Sequence, residues 1–307
     1  MALSRAIALP IGARRPPRAI SARDIRAAAN VLAFSWFAVA LLTGIGGILR
    51  FNHLGMAGLL VDEGFTLTYA RQGWAAVFGF HGFYSPHPPL FYALAKVANL
   101  FVAEEIAARS VAALAGTLTI PLVFLLCRRL IGTGAGIAAA ALLAVAPFHV
   151  EYSRIGRMYA PTVFLVTASY YALLVFGQTG RRGWAAAYSA TLVLAMYTDY
   201  SAAYALLPQA VILLLILRRD PEKQRPLLIA GGVAALLFLP WLPQVFDTVS
   251  GAAYAEGRDD YLAASWGGIA ESAGHIFGLE ALRYWDGAPT EPAWTRWADW
   301  RWAMVGA

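Results

Sequence analysis

Asp62 and Glu63 stand together in the first polar stretch after a long apolar run, and His87-Pro88-Pro89-Leu90 follows them. A carboxylate pair can supply a general base, or the hard oxygen ligands that Mg²⁺ or Mn²⁺ prefers. Further on, Glu151-Tyr152-Ser153-Arg154-Ile155-Gly156-Arg157-Met158-Tyr159 sets two arginines three apart, one helical turn if the preceding helix continues. Planar guanidinium forks at that spacing can grip a single anion. Pro88 and Pro89 suit the opening of a helix, whose free amides and positive end then lie just after His87 and offer a second place for a phosphate oxygen. Thr198-Asp199-Tyr200 adds another carboxylate. Together these residues point to chemistry on a phosphorylated substrate.

The elements that hold them are set by composition. Hydrophobic residues make up 59% of the 307 residues, charged residues 14%, and the mean hydropathy is +0.57. A soluble chain has about half and about a quarter respectively, so this is an all-α polytopic membrane protein. The net charge of +6 comes from short arginine clusters between apolar runs with few aromatics beside them. Membrane topology explains those clusters and nucleic acid does not. The lone Cys127 excludes an intramolecular disulfide and reads as a small packing residue.

About twenty apolar residues cross a bilayer. Seven runs qualify as spans: 27–49, 110–127, 134–150, 160–177, 184–198, 201–217 and 226–246. Ahead of them, residues 1–25 form a basic tail with Arg5, Arg14, Arg15, Arg18 and Arg23, and with Arg26 this reads as an uncleaved signal anchor. The apolar stretch 88–102 is only about fifteen residues long. If it lies along the surface, Arg128-Arg129, Arg181-Arg182 and Arg218-Arg219 with Lys223 and Arg225 all fall on the side of the basic tail, as the positive-inside rule requires. Lys96 then snorkels from that surface helix, and Glu105 and Arg109 form a helix-surface pair four residues apart.

This topology makes the N-terminus cytoplasmic and sends three segments to the opposite face: a long loop over 50–109, residues 151–159, and the 198–200 turn. The span interiors lack Asp, Glu, Lys and Arg, which argues against an ion-coupled transporter. No strand precedes a glycine-rich phosphate loop; Gly132, Gly134 and Gly136 lie between two spans and suit close helix packing. Each site candidate also has a structural alternative. Asp62 and Glu63 can solvate a loop or cap a helix starting at Gly64, Arg154 and Arg157 can anchor a helix end to headgroups, and His87 and Asp199 can close turns.

The Asp-Glu pair in the first outer loop, then HPPLFYAL, YSRIGRMYAP and YTDYSAAY, resembles the C-type glycosyltransferases that use lipid-phosphate sugars. The resemblance is to the dolichyl-phosphate-mannose protein mannosyltransferase-like and the lipid A aminoarabinose or galacturonic acid transferase-like branches. It covers roughly residues 26–246 and rests on the order and spacing of four motifs. It implies a transmembrane helix bundle whose long first extracytoplasmic loop carries surface helices. It also implies transfer of a sugar from a polyprenyl phosphate to an acceptor hydroxyl on a glycan, lipid or protein, at the extracytoplasmic face of the plasma (inner) membrane.

Within that resemblance Asp62 matches the acceptor-deprotonating acid, accompanied by Glu63, and the pair is also the candidate divalent-cation site. Arg157 and Tyr159 match an Arg-Met-Tyr motif facing the donor phosphate. Arg154 and Ile155 replace the usual polar and acidic residues there, which argues against a metal at that motif. Asp199 stands before Tyr200 where many relatives carry histidine; it can bind a metal or sugar hydroxyls but cannot donate a hydrogen bond when ionised. His87 and Arg154 complete the expected donor site. Phosphate is a good leaving group, so one base and positive charge suffice, without the second acid of a glycosidase. A non-catalytic protein that binds or transports the same lipid-phosphate sugar uses the arginines without the base. The 247–307 segment, with Trp266, Trp285, Trp294, Trp297, Trp300 and Trp302, reads as an extracytoplasmic stretch belting the interface or stacking on sugar; it lacks a closing apolar run and suggests a shortened chain.

Overall fold

Long runs of Ala, Leu, Val and Ile satisfy every internal backbone group by helix formation, and the fold is accordingly helical, with no strand among the described residues. The computed structural model describes residues 22–56, 58–79 and 87–250; the basic tail to residue 21 and the Trp-rich segment beyond 250 lie outside them. In chain order the helices are α1 (Ala22–Phe51), α2 (Val61–Arg71), α3 (Trp74–Val77), α4 (Leu90–Ala98), α5 (Glu104–Leu130), α6 (Thr133–Val145) and α7 (Pro147–Tyr152). They continue with α8 (Tyr159–Thr179), α9 (Arg182–Met196), α10 (Leu206–Arg219), α11 (Gln224–Phe238) and α12 (Leu242–Ser250), with 3-10 turns at Tyr200–Ala205, Pro221–Lys223 and Leu239–Trp241. Contacts divide the chain into Met1–Leu242 and Pro243–Ala307, and everything below concerns the first unit.

Among the described residues, five segments are long and apolar enough to cross a membrane: Ala29–Phe51, Glu104–Leu130, Tyr159–Thr179, Tyr200–Arg219 and Pro221–Phe246. The apolar α6 and the 15-residue α9 are shorter and pack along them. The expected continuous span 134–150 is corrected. Pro147 has no N–H and drives Ala146 to an extended ψ of 115°, so α6 stops at Val145 and α7 starts in a new direction. The first helix begins at Ala22, so the last residues of the expected basic tail are helical.

Small apolar cores hold this arrangement. Val39, Ile120, Phe124, Ala140 and Ala144 join α1, α5 and α6. Ala172, Leu173, Tyr188 and Ile216 join α8, α9 and α10, while Phe91, Tyr92, Ala93, Ala95, Ala108, Val77 and Met158 seat the short helices α3 and α4 against α5. Gly136 shows why glycine is needed at one crossing: a Cβ there would stand 2.9 Å from the Phe124 ring and 2.9 Å from its carbonyl oxygen. The packing role expected of Gly132, Gly134 and Gly136 thus holds at Gly136 alone, since a Cβ at Gly132 or Gly134 would meet open space.

The 88–102 stretch forms α4, only nine residues or about 14 Å long, too short to cross a hydrocarbon core of about 30 Å. Its Lys96 does not snorkel. The ammonium donates to Ala70 O at 3.1 Å and Gln72 O at 2.9 Å, capping the end of α2.

Candidate active site

The base of the site is built on Glu63, which the start of α2 buries to 2% exposure. Its Oε2 reaches back to the N-cap and accepts from Leu60 N–H at 3.0 Å, the one half of a capping box that a leucine N-cap allows. Arg109 of α5 donates to both oxygens, Nε to Oε1 at 2.7 Å and an Nη to Oε2 at 2.5 Å, and Gly156 N–H donates to Oε1 at 2.7 Å. Four donors therefore fill the four lone-pair sites of one carboxylate. Burial alone would raise the Glu63 carboxyl; the Arg109 bonds and the two amides outweigh it and hold it below the ordinary value. Arg109 also donates to Leu54 O at 2.7 Å and Gly58 O at 2.9 Å. The expected Glu105–Arg109 surface pair is thus corrected: Glu105 is exposed, and Arg109 is buried across Glu63.

Asp62, one residue earlier, is the opposite case. Its side chain is exposed and accepts no hydrogen bond among the described residues, while its backbone carbonyl accepts from Arg157 at 3.2 Å. Helical geometry produces this split, since neighbours on α2 point about 100° apart. The helix itself opens at Val61 and not at Gly64.

Residues 153–158 are turns, so the expectation that Arg154 and Arg157 share one helical turn is corrected. α7 ends at Tyr152 and α8 begins at Tyr159, and the two guanidinium groups take different partners. Arg154 donates to Leu49 O at 3.0 Å, at the end of α1. Arg157, 6% exposed, reaches Asp62 O and, at 3.0 Å, Nε2 of His87; its buried Nε has no partner among the described residues.

Because a guanidinium only donates, His87 accepts at Nε2 and carries its proton at Nδ1. Burial first, and the Arg157 charge second, hold the His87 imidazolium below its ordinary pKa, against the opposing pull of Asp199 and Asp62. Those influences place both carboxylates in the same electrostatic neighbourhood. The 197–200 turn is tied in directly: Leu90 N–H, the first helical amide of α4, donates to Tyr197 O at 2.9 Å. That amide is consequently not free for a phosphate oxygen. Asp199 is 9% exposed and caps the following turn through Ser201 N–H at 2.6 Å. Tyr200 accepts at its hydroxyl from Trp241 Nε1 at 2.9 Å. Tyr159 is 36% exposed, edge-on to Tyr152 with centroids 5.2 Å apart.

So Asp62, His87, Arg157 and Asp199 share one neighbourhood, whereas Glu63 and Arg154 face into the scaffold beneath it. Among the described residues no group of three or more His, Cys, Asp or Glu side chains is placed to hold a metal, and Glu63 has no acceptor site to offer one. The donor set fits a divalent cation poorly.

Sequence reasoning passed over Arg50 and His149. Arg50, at the end of α1, is fully buried. It donates to Gly46 O (2.8 Å), Ala144 O (3.0 Å), Leu143 O (3.0 Å) and His149 Nδ1 (2.8 Å). It thereby sets its charge on the negative end of α6 and locks α7 to α1. The available signal was two glycines in the spans: a Cβ on Gly46 would stand 3.0 Å from Arg50 Nη1, and one on Gly116 would stand 3.2 Å from its Nε.

Among solved structures, ArnT from Cupriavidus metallidurans in the apo state matches with a TM-score of 0.52 and 23% identity, over 73% of this chain and 45% of that one. The likeness is one of fold, and this chain spans a little under half of that structure's length. No curated protein matches the sequence. The family model for dolichyl-phosphate-mannose-protein mannosyltransferases matches residues 86–243, just over half of the chain, from the edge of the His87 motif to beyond Trp241. With those residues forming α4 to α11 and the turns around Arg157 and Asp199, the chain belongs to the dolichyl-phosphate-mannose-protein mannosyltransferase family.

Proposed function

We propose that this membrane protein is a glycosyltransferase that moves a sugar from a polyprenyl phosphate to an acceptor hydroxyl on a glycan, lipid or protein. The observation that carries this reading is the pairing of an exposed, unpartnered Asp62 carboxylate with Arg157, which donates to the Asp62 carbonyl and keeps a buried Nε without a partner. A base and a cation so placed match the two demands of the reaction. Asp62 takes the proton of the acceptor hydroxyl as its oxygen attacks the anomeric carbon. The bond from that carbon to the phosphate oxygen breaks, and Arg157 stabilises the charge gathering on the departing polyprenyl phosphate. His87, neutral and bonded to Arg157, holds that guanidinium; Tyr159, Asp199 and Tyr200 line the sugar side.

Glu63 and Arg154 are assigned to positioning, since their polar atoms bind the scaffold. In the topology we favour, seven spans carry a cytoplasmic N-terminus and α6 and α9 count among the spans. The site then opens on the extracytoplasmic face of the plasma membrane.

The test is sugar transfer from radiolabelled polyprenyl-phosphate sugars in membranes containing wild type or Asp62→Asn, with donor binding measured in parallel. The expected result is transfer by wild type, a loss of roughly 10²-fold or more in the variant, and unchanged donor binding. Transfer undiminished in Asp62→Asn removes the base. Equal donor binding by Arg157→Ala and wild type removes the phosphate assignment.

A further inference from the structure

Away from the site, α9 and α11 enclose a groove of about 660 Å³. Its walls are apolar, with Ala186, Ala190 and Val193 on α9 and Ile229, Val233 and Leu237 on α11. Its charged residues gather at one mouth, Arg182, Arg225 and Glu222, and Ser189 lies two helical turns further in. The far end is closed where the Tyr197 hydroxyl donates to Leu237 O at 2.7 Å and its ring packs on Phe238 with centroids 5.3 Å apart.

Three features of this groove select its occupant. The first is length. From Arg182 to Val193 and from Arg225 to Leu237 each wall rises about 17 Å, which matches one leaflet, half of a hydrocarbon core of about 30 Å. The second is charge. Arg182 and Arg225 are exposed and form no ion pair among the described residues, whereas the neighbouring Lys223 is held by Asp220 at 3.0 Å and by Gly177 O at 2.7 Å. Glu222 lowers the positive charge of the mouth without cancelling it. The third is direction. The arginine mouth contains the start of both helices and the closed end contains the end of both, so α9 and α11 run parallel and turn two positive helix ends toward the mouth.

From this we propose that the α9/α11 groove is a binding site for an anionic phospholipid of the leaflet on the arginine side, its acyl chain along the alanine-lined walls and its headgroup phosphate between Arg182 and Arg225. The groove shares no lining residue with the Asp62–Arg157 site, so the inference stands apart from the catalytic reading.

The full chain in a maltoside micelle, titrated with palmitoyl-oleoyl phosphatidylglycerol or phosphatidylcholine and observed by native mass spectrometry, tests it. Phosphatidylglycerol adducts are expected at roughly tenfold lower lipid concentration than phosphatidylcholine adducts. R182Q/R225Q removes that preference. R218Q/R219Q, which removes two charges from the same end but outside the groove, leaves it intact. A190L/A234L narrows the groove and reduces adducts of both lipids without changing charge. Equal binding of the two lipids, or equal effects of the two arginine pairs, overturns the proposal. So does a dimer mass that A190L/A234L splits, because the groove is then covered by a second copy.

Discussion

Arg109 lies across Glu63 as a bidentate pair 46 residues distant in sequence, both side chains withdrawn from solvent, and Gly156 N–H completes the carboxylate from the far side. This one contact joins α2, α5 and the 153–158 turn beneath the proposed site. Removing one partner leaves a buried charge uncompensated, at a cost of about 3–5 kcal/mol. Arg109→Met and Glu63→Gln should each destabilise the chain by that order in reversible detergent unfolding, and the double variant should lose far less than their sum. Additive losses would mean that the two side chains act independently.

The same carboxylate gives the fold an acid limit. Its ordinary value is 4.5 and its folded value is lower, because the Arg109 bonds and amides outweigh burial. Its contribution is therefore fully present above about pH 4.5 and is lost as the pH falls through the folded value. Thermal unfolding in detergent, followed by far-ultraviolet circular dichroism, should show wild type losing stability steeply below pH 4.5 and Glu63→Gln losing less.

His87 acts in the window above. In the unfolded chain it gains a proton below about pH 6.5, whereas burial and Arg157 keep the folded imidazole neutral to lower pH. Stability should fall from pH 6.5 down to the folded value, and the Nε2 acceptor for Arg157 disappears once the ring is protonated. His87→Gln keeps an acceptor and does not titrate. Its donor-binding profile should stay level across the range where wild type declines, while His87→Ala should bind donor weakly at every pH.

What was legible in the sequence followed from length, hydropathy and motif order. The apolar runs gave the places of the membrane helices but not the break that Pro147 makes in 134–150 or the start of α5 at Glu104, and the short α4 followed from fifteen apolar residues opened by two prolines. The direction in which each polar side chain points was not legible. Asp62 and Glu63 are equivalent in composition, yet helical geometry exposes one and buries the other. Glu105 lies four residues from Arg109 and Glu63 lies 46, but Arg109 pairs with the distant one because only there is a carboxylate already desolvated. Arg154 and Arg157 were read as a pair because the break between α7 and α8 depends on tertiary contacts with Glu63 and Leu49 that no local signal carries.

Gly116 supplies the sharpest steric test of how the turn carrying Arg157 is held. A Cβ at this position would collide with Ser153 Oγ, 2.6 Å from Ser153 Cβ and 3.2 Å from Arg50 Nε. Ser153 and Arg50 are both fully buried, and Ser153 is fixed by its bond to His149 O at 2.5 Å, so neither can move aside freely. Gly116→Ala should therefore cost about 1–3 kcal/mol and shift the 153–158 turn against α5. Gly134, where a Cβ meets open space, is the matched control, and Gly134→Ala should be close to neutral. Replacing Ser153 by glycine removes the colliding atoms, so Gly116→Ala/Ser153→Gly should regain most of the stability lost in Gly116→Ala. If donor binding recovers along with stability, the turn is positioned by this contact. If stability returns and donor binding does not, the Ser153 hydroxyl itself, through His149 and Arg50, sets where Arg157 stands.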